Sequence, residues 1–107
     1  MALAEDCYVL TKAYPREELF GLTSQTRRSA TSIAANIAEG YGRDNSRTYI
    51  QFLRIAQGSL KELETHLLIS ERIHLTNASK IRPLLERCDS LGRMLRSLIK
   101  SIDEKKR

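Results

Sequence analysis

Cys7, Cys88, His66 and His74 are the soft metal ligands in this 107-residue sequence. A zinc site needs three or four ligands at close spacing, commonly opened by a Cys-x-x-Cys pair. A di-metal helical bundle uses a Glu-x-x-His step. The sequence contains neither, and Glu62-Leu63-Glu64-Thr65-His66 has no ligand spacing. No metal and no cofactor is therefore expected. His66 reads as a mid-helix structural or interface residue, and the two cysteines read as reduced, buried, small apolar residues. Gly40-Tyr41-Gly42 begins like a dinucleotide fingerprint, but Asn45 takes the third glycine position and a helical pattern precedes it. It reads as a helix stop. Ser59 follows Gly58 without a Gly-x-Ser-x-Gly elbow or a paired base, so Gly58-Ser59 reads as close helix packing. No signature of an enzyme is present, and a non-enzymatic protein is expected.

Cationic side chains offer a different chemistry. Arg47, Arg54 and Lys61 recur every seven residues with Gln51 between them, and Arg93, Arg96 and Lys100 recur by three and four. Guanidinium groups suit bidentate phosphate contacts, and a row of them can track a phosphate backbone. Together with Arg43 these are the candidate nucleic-acid contacts. The alternative is a solvated face with salt bridges to Glu62, Glu64, Asp89 and Asp103. Aromatic residues are 6% of the chain and Trp is absent, which disfavours single-strand readout by base stacking. The net charge is +5, and the whole excess falls in residues 78–107. For one subunit that is a modest charge. Asn36, Glu39, Gln57, Glu62 and Thr65 border lean, small-residue surfaces. They are either ordinary surface or an inter-helix or inter-subunit hydrogen-bond network that fixes register.

Helices must position these groups. The composition (41% hydrophobic, 29% charged, two prolines, five glycines) fits one all-α domain over residues 1–107 and argues against a turn-dense β-sandwich. No stretch approaches about 18 uncharged apolar residues, and the first residues lack a signal-like apolar run, so no membrane partner and a cytoplasmic location are expected. Leu3, Cys7, Leu10 and Tyr14 mark a short first helix, about 2–14, ended by Pro15. A second helix over about 16–40 carries Thr23, Thr26, Ala30, Ile33, Ile37 and Gly40 on its seam, with Gly21 followed by Thr23 or Ser24 as a second possible start. A third, about 46–73, follows the cap candidates Asp44, Asn45 and Ser46. Its seam is Tyr49, Phe52/Leu53, Ala56, Leu60, Leu63, Leu67 and Ser70, widened by a second apolar line, Ile55, Leu68 and Ile69. The fourth, about 77–103, has the heptad seam Ile81, Leu84, Cys88, Leu91, Leu95, Leu98 and Ile102. Pro83 predicts a kink there or a helix that becomes regular only near Arg82. Short connections make this an antiparallel up-down four-helix bundle with a short first helix. That short helix leaves half of the bundle groove uncovered, to be filled by further N-terminal turns or by another subunit.

Two blocks carry a family resemblance. Ser24-Gln25-Thr26-Arg27-Arg28-Ser29-Ala30 with Ser32-Ile33-Ala34-Ala35-Asn36-Ile37-Ala38-Glu39-Gly40-Tyr41-Gly42-Arg43 resembles the signature QxRRAaxSIxxNIAEGxgR. Tyr49 to Leu67 is similar to FLxiAxGSxxELeTxL, and Tyr14-Pro15-Arg16-Glu17-Glu18 to fPxeE. These patterns belong to the four-helix-bundle proteins encoded in intervening sequences of bacterial 23S ribosomal RNA genes. Ser29 and His66 stand where that family more often has alanine and glutamine. The resemblance implies a ring, with a homopentamer favoured, and kinship with the accessory variability protein of diversity-generating retroelements. It also implies RNA or DNA as partner, or a protein partner such as a polymerase or reverse transcriptase docked on the ring as a scaffold. Arg27, Arg28, Asn36, Glu39, Glu62, Glu64 and Thr65 are the motif positions expected to serve structure or interface. The family's first helix is usually longer, so the natural bundle is expected to exceed this one at its N-terminus.

Overall fold

The computed structural model describes residues 2–106. Four helices follow one another: α1 (Ala2–Thr11), α2 (Leu22–Tyr41), α3 (Ser46–Arg72) and α4 (Ala78–Lys106), with a 3₁₀ turn at Arg16–Glu18 between the first two. Each packs on its neighbours in sequence and α4 returns to α1, while the diagonal pairs stay apart. That is the up-down arrangement, 49 Å along its long axis.

Local chemistry sets the boundaries. α1 ends three residues before Tyr14. The chain tightens there into i→i+3 bonds (Tyr14 N–H to the Thr11 carbonyl, 3.0 Å) ahead of Pro15, and Tyr14 still reaches the core. α2 starts at Leu22, not at residue 16, because Arg16–Glu18 makes a single 3₁₀ turn and Gly21 breaks the path. Glu18 Oε1 then accepts from the Leu22 amide at 3.2 Å, satisfying one orphan donor of the new helix. Asn45 caps α3, its Oδ1 accepting from the Arg47 and Thr48 amides at 2.8 and 3.2 Å. Asn77 caps α4 through the Lys80 amide, 3.1 Å. α4 runs as one helix through Pro83, without the late start near Arg82.

The end of α3 is less ordinary. His74 has φ 65°, the left-handed region, and its amide donates to the Glu71 carbonyl while Leu75 donates to Ser70 at 2.9 Å. This is a Schellman stop with histidine where glycine is the usual occupant.

The core holds Cys7, Leu10, Tyr14, Ala30, Ile33, Leu53, Leu63, Leu67, Ile81, Cys88 and Leu95, joined by Ile50 and Ile99, which lie outside the expected seams. Ile55, Leu68 and Ile69 do not widen the buried stripe; they are 51%, 47% and 41% exposed. Ile55 and Ile69 each follow a buried leucine by two positions, a rotation of about 200° that turns them away from the core. Leu68 follows Leu67 by one.

Gly40 lies inside α2 and not beyond its end. A Cβ there would come 2.8 Å from Phe52 Cβ and 2.9 Å from Tyr49 Cδ1, so the glycine is what lets α2 and α3 meet. Gly58 is the reverse case: a Cβ there would touch nothing within 4 Å, and it is Ser59 that makes the packing contact, 2.8 Å from Ser32 on α2.

α1 lies beside only part of α4. An ion pair between Asp6 and Arg87 sets the register. Running antiparallel, α1 reaches Ala2 about one turn later, level with Leu91. Beyond that level Ile37, Leu98 and Ile102 are half-buried where a fourth helix would have covered them.

Candidate nucleic-acid interface

Adjacent, antiparallel α3 and α4 bring the two basic rows to one side of the molecule. Two shallow depressions follow the seam between them. One, of about 270 Å³, includes Gln57, Lys61, Glu64, Asp89 and Arg96 in its lining. The next, of about 300 Å³, is lined by Arg54, Gln57, Arg96, Ile99, Lys100 and Asp103. Gln57 and Arg96 belong to both, so the depressions form one trough. Arg54 and Lys61 stand on its α3 side, Arg96 and Lys100 on its α4 side. Arg47 extends the α3 row by two further turns toward its N-terminus.

The charges in this trough are only partly compensated. Lys61 pairs with Glu64 at 3.7 Å and Arg93 with Asp89 at 3.2 Å, both between exposed or half-exposed groups that gain little from pairing. Among the described residues, Arg54, Arg96 and Lys100 have no carboxylate within ion-pair distance. Arg43 stands apart at the α2–α3 turn, paired with Glu39 at 3.2 Å and with its guanidinium 5.2 Å from the centre of the Phe52 ring.

The other motif positions are scattered. Asn36 donates to the Ser32 carbonyl at 2.8 Å and to Ser32 Oγ, which in turn meets Ser59 across the helix pair. Thr65 donates back to the Lys61 carbonyl within α3 and Glu62 is exposed, so neither bridges helices. Arg28 contacts Gln25 at 3.3 Å on the surface. Arg27 crosses to α1, where its Nε donates to Thr11 Oγ1 at 2.8 Å. Lys12 and Arg16, absent from the sequence-based candidates, border the same corner as Arg27. Only the short reach across the 3₁₀ turn brings them together, which helical periodicity does not register.

His66 Nε2 is buried without a hydrogen-bond partner. Among the described residues there is no cluster of three or more His, Cys, Asp or Glu side chains able to hold a metal ion. Cys7 and Cys88 are fully buried free thiols, each pushed up to about 12 chiefly by burial. Thiols in that state are poor nucleophiles. Among the described residues no helix is long and apolar enough to cross a membrane.

The family described as 23S rRNA-intervening sequence protein matches residues 1–97. The fold is similar to that of a crystallised protein of unknown function from the S23 ribosomal protein family of Bacteroides thetaiotaomicron VPI-5482. That likeness has a TM-score of 0.77 at 22% identity, covering 92% of this chain and 98% of that one. No curated protein matches the chain.

Proposed function

The chain belongs to the 23S rRNA-intervening sequence protein family, and from that premise we propose that it is a non-enzymatic, cytoplasmic four-helix bundle that assembles as a homopentamer and binds RNA or DNA. The observation that carries this reading is the α3/α4 trough, where Arg54, Lys61, Arg96 and Lys100 converge from two helices. Phosphate oxygens are the natural complement of such a row, and few rings lie near it to read bases.

Assembly multiplies the electrostatics. One subunit carries +5. A ring of several copies sums that charge over a continuous surface, and each phosphate neutralised adds close to one to the salt slope. Ile55 and Ile69, exposed on the outer side of α3, supply apolar surface for subunit contact.

Filter binding to a ribosomal RNA fragment across a salt series tests the proposal. The expected result is a steep loss of affinity with salt, and a weaker, flatter dependence in the Arg54→Glu/Arg96→Glu variant. A flat slope for the unaltered protein rejects it. Light scattering reads the subunit number, and a monomer removes the electrostatic summation. The same exposed isoleucines favour a second reading, a scaffold that docks a protein such as a polymerase or reverse transcriptase. Recovery of one such partner after nuclease treatment, without any salt-dependent RNA binding, selects that reading.

A further inference from the structure

We infer that the corner between α1, the 3₁₀ turn and α2 is a second ligand site, for a phosphate monoester carried on a nucleoside. It lies apart from the α3/α4 trough and does not rest on the role given to that trough.

The centre of the corner is Arg27, half-buried and held from two sides. Its Nε donates to Thr11 Oγ1 at 2.8 Å, and its guanidinium carbon lies 4.6 Å from the centre of the Tyr8 ring. Thr11 is fixed in turn: it is 2% exposed, and its hydroxyl donates to the Cys7 carbonyl at 2.7 Å. The arginine is thus ordered in advance, with four of its five N–H donors left over. Neither contact neutralises it. Among the described residues, no carboxylate lies within ion-pair distance of it.

A depression of about 330 Å³ opens beside this group. Lys12, Arg16 and Arg27 line it together with the hydroxyl-bearing Thr11 and Thr23, and no acidic residue does. The nearby Glu18 is turned to the Leu22 amide at 3.2 Å. Three cations around a concave space, beside the Thr23 hydroxyl and with no carboxylate in the lining, are the complement of a small multivalent oxyanion. An adjoining depression shares Leu19, Thr23 and Arg27 and adds Phe20, which is 90% exposed. An aromatic ring left in water beside a phosphate-sized cationic pocket gives the place for a base, which gains stacking energy there. Inorganic phosphate would satisfy the first depression alone; a nucleotide uses both.

Titration with AMP, adenosine and inorganic phosphate, followed by amide chemical shifts, tests the assignment. AMP is expected to saturate shifts at Lys12, Arg16, Thr23 and Arg27, with adenosine at least tenfold weaker. Lys12→Gln/Arg16→Gln, both at exposed positions, should weaken AMP at least tenfold with the helical circular dichroism unchanged. Phe20→Ala should weaken AMP several-fold and leave inorganic phosphate unaffected. Arg54→Glu/Arg96→Glu should leave AMP binding intact, which separates this site from the trough. The assignment is overturned if AMP produces no saturable shifts at those residues, if the Lys12/Arg16 variant binds it as well as the parent, or if inorganic phosphate binds as tightly as AMP.

Discussion

Three positions show how a single Cβ can decide a substitution's sign. At Gly40 a methyl group would intrude on Phe52 and Tyr49 at under 3 Å. Gly40→Ala is expected to cost about 1–3 kcal/mol through overpacking, against a helix-propensity gain of about 1 kcal/mol. At Gly58 the same change meets open space and should gain about 0.5–1 kcal/mol. Urea midpoints of the two variants should therefore move in opposite directions. His74, at φ 65°, bears the left-handed strain of a residue with a Cβ. His74→Gly should stabilise the fold by about 1 kcal/mol and raise the urea midpoint accordingly. The sequence places Gly40 both on the α2 seam, where it lies, and in a helix stop that falls one to two residues later, and of the pair Gly58-Ser59 only the serine makes the expected packing contact. Each is a glycine within a helical run, and only the neighbouring helix distinguishes them.

At the scale of elements, periodicity was a good guide where one face of a helix is buried. Thr23, Thr26, Ala30 and Ile33 on α2, and Leu53, Ala56, Leu60, Leu63 and Leu67 on α3, all lie on the expected seams. It misled at Ile55, Leu68 and Ile69, because apolar type alone does not say whether a second face has a neighbour. The start of α2 was open between two sites, since Pro15 and Gly21 are both plausible punctuation. The basic rows were legible as rows; that they share one trough depends on α3 and α4 being adjacent. α1 was legible as short, yet its tie to α2 through Arg27 and Thr11 was not, because the two residues are far apart in sequence. That tie predicts an element-level effect. Thr11→Val removes the acceptor of Arg27 Nε and should cost about 1–2 kcal/mol, the penalty for stranding a part-buried donor. Hydrogen exchange should quicken in α1 well before it quickens in α3.

For the whole molecule, the buried thiols make stability depend on alkaline pH. Well below pH 9 Cys7 and Cys88 are neutral whether the chain is folded or not. Above it the unfolded thiols ionise from the ordinary value of 9.0, while the folded ones hold their protons to about 12. The folded state then binds more protons than the unfolded state, so stability falls as pH rises from 9 to 12. Tyr14, also raised by burial, adds in the same direction. Urea midpoints measured across that range should decline steadily, and a Cys7→Ala/Cys88→Ala variant should show a shallower decline. Those same two sulfurs sit on either side of the contact between α1 and α4, and neither has any surface in water. Cys88 also borders the α3/α4 depression, so it is Cys7 that an alkylating reagent finds only in the moments when α1 lifts away. The labelling rate of Cys7 would time that opening directly, making the shortest helix a clock for the bundle's breathing.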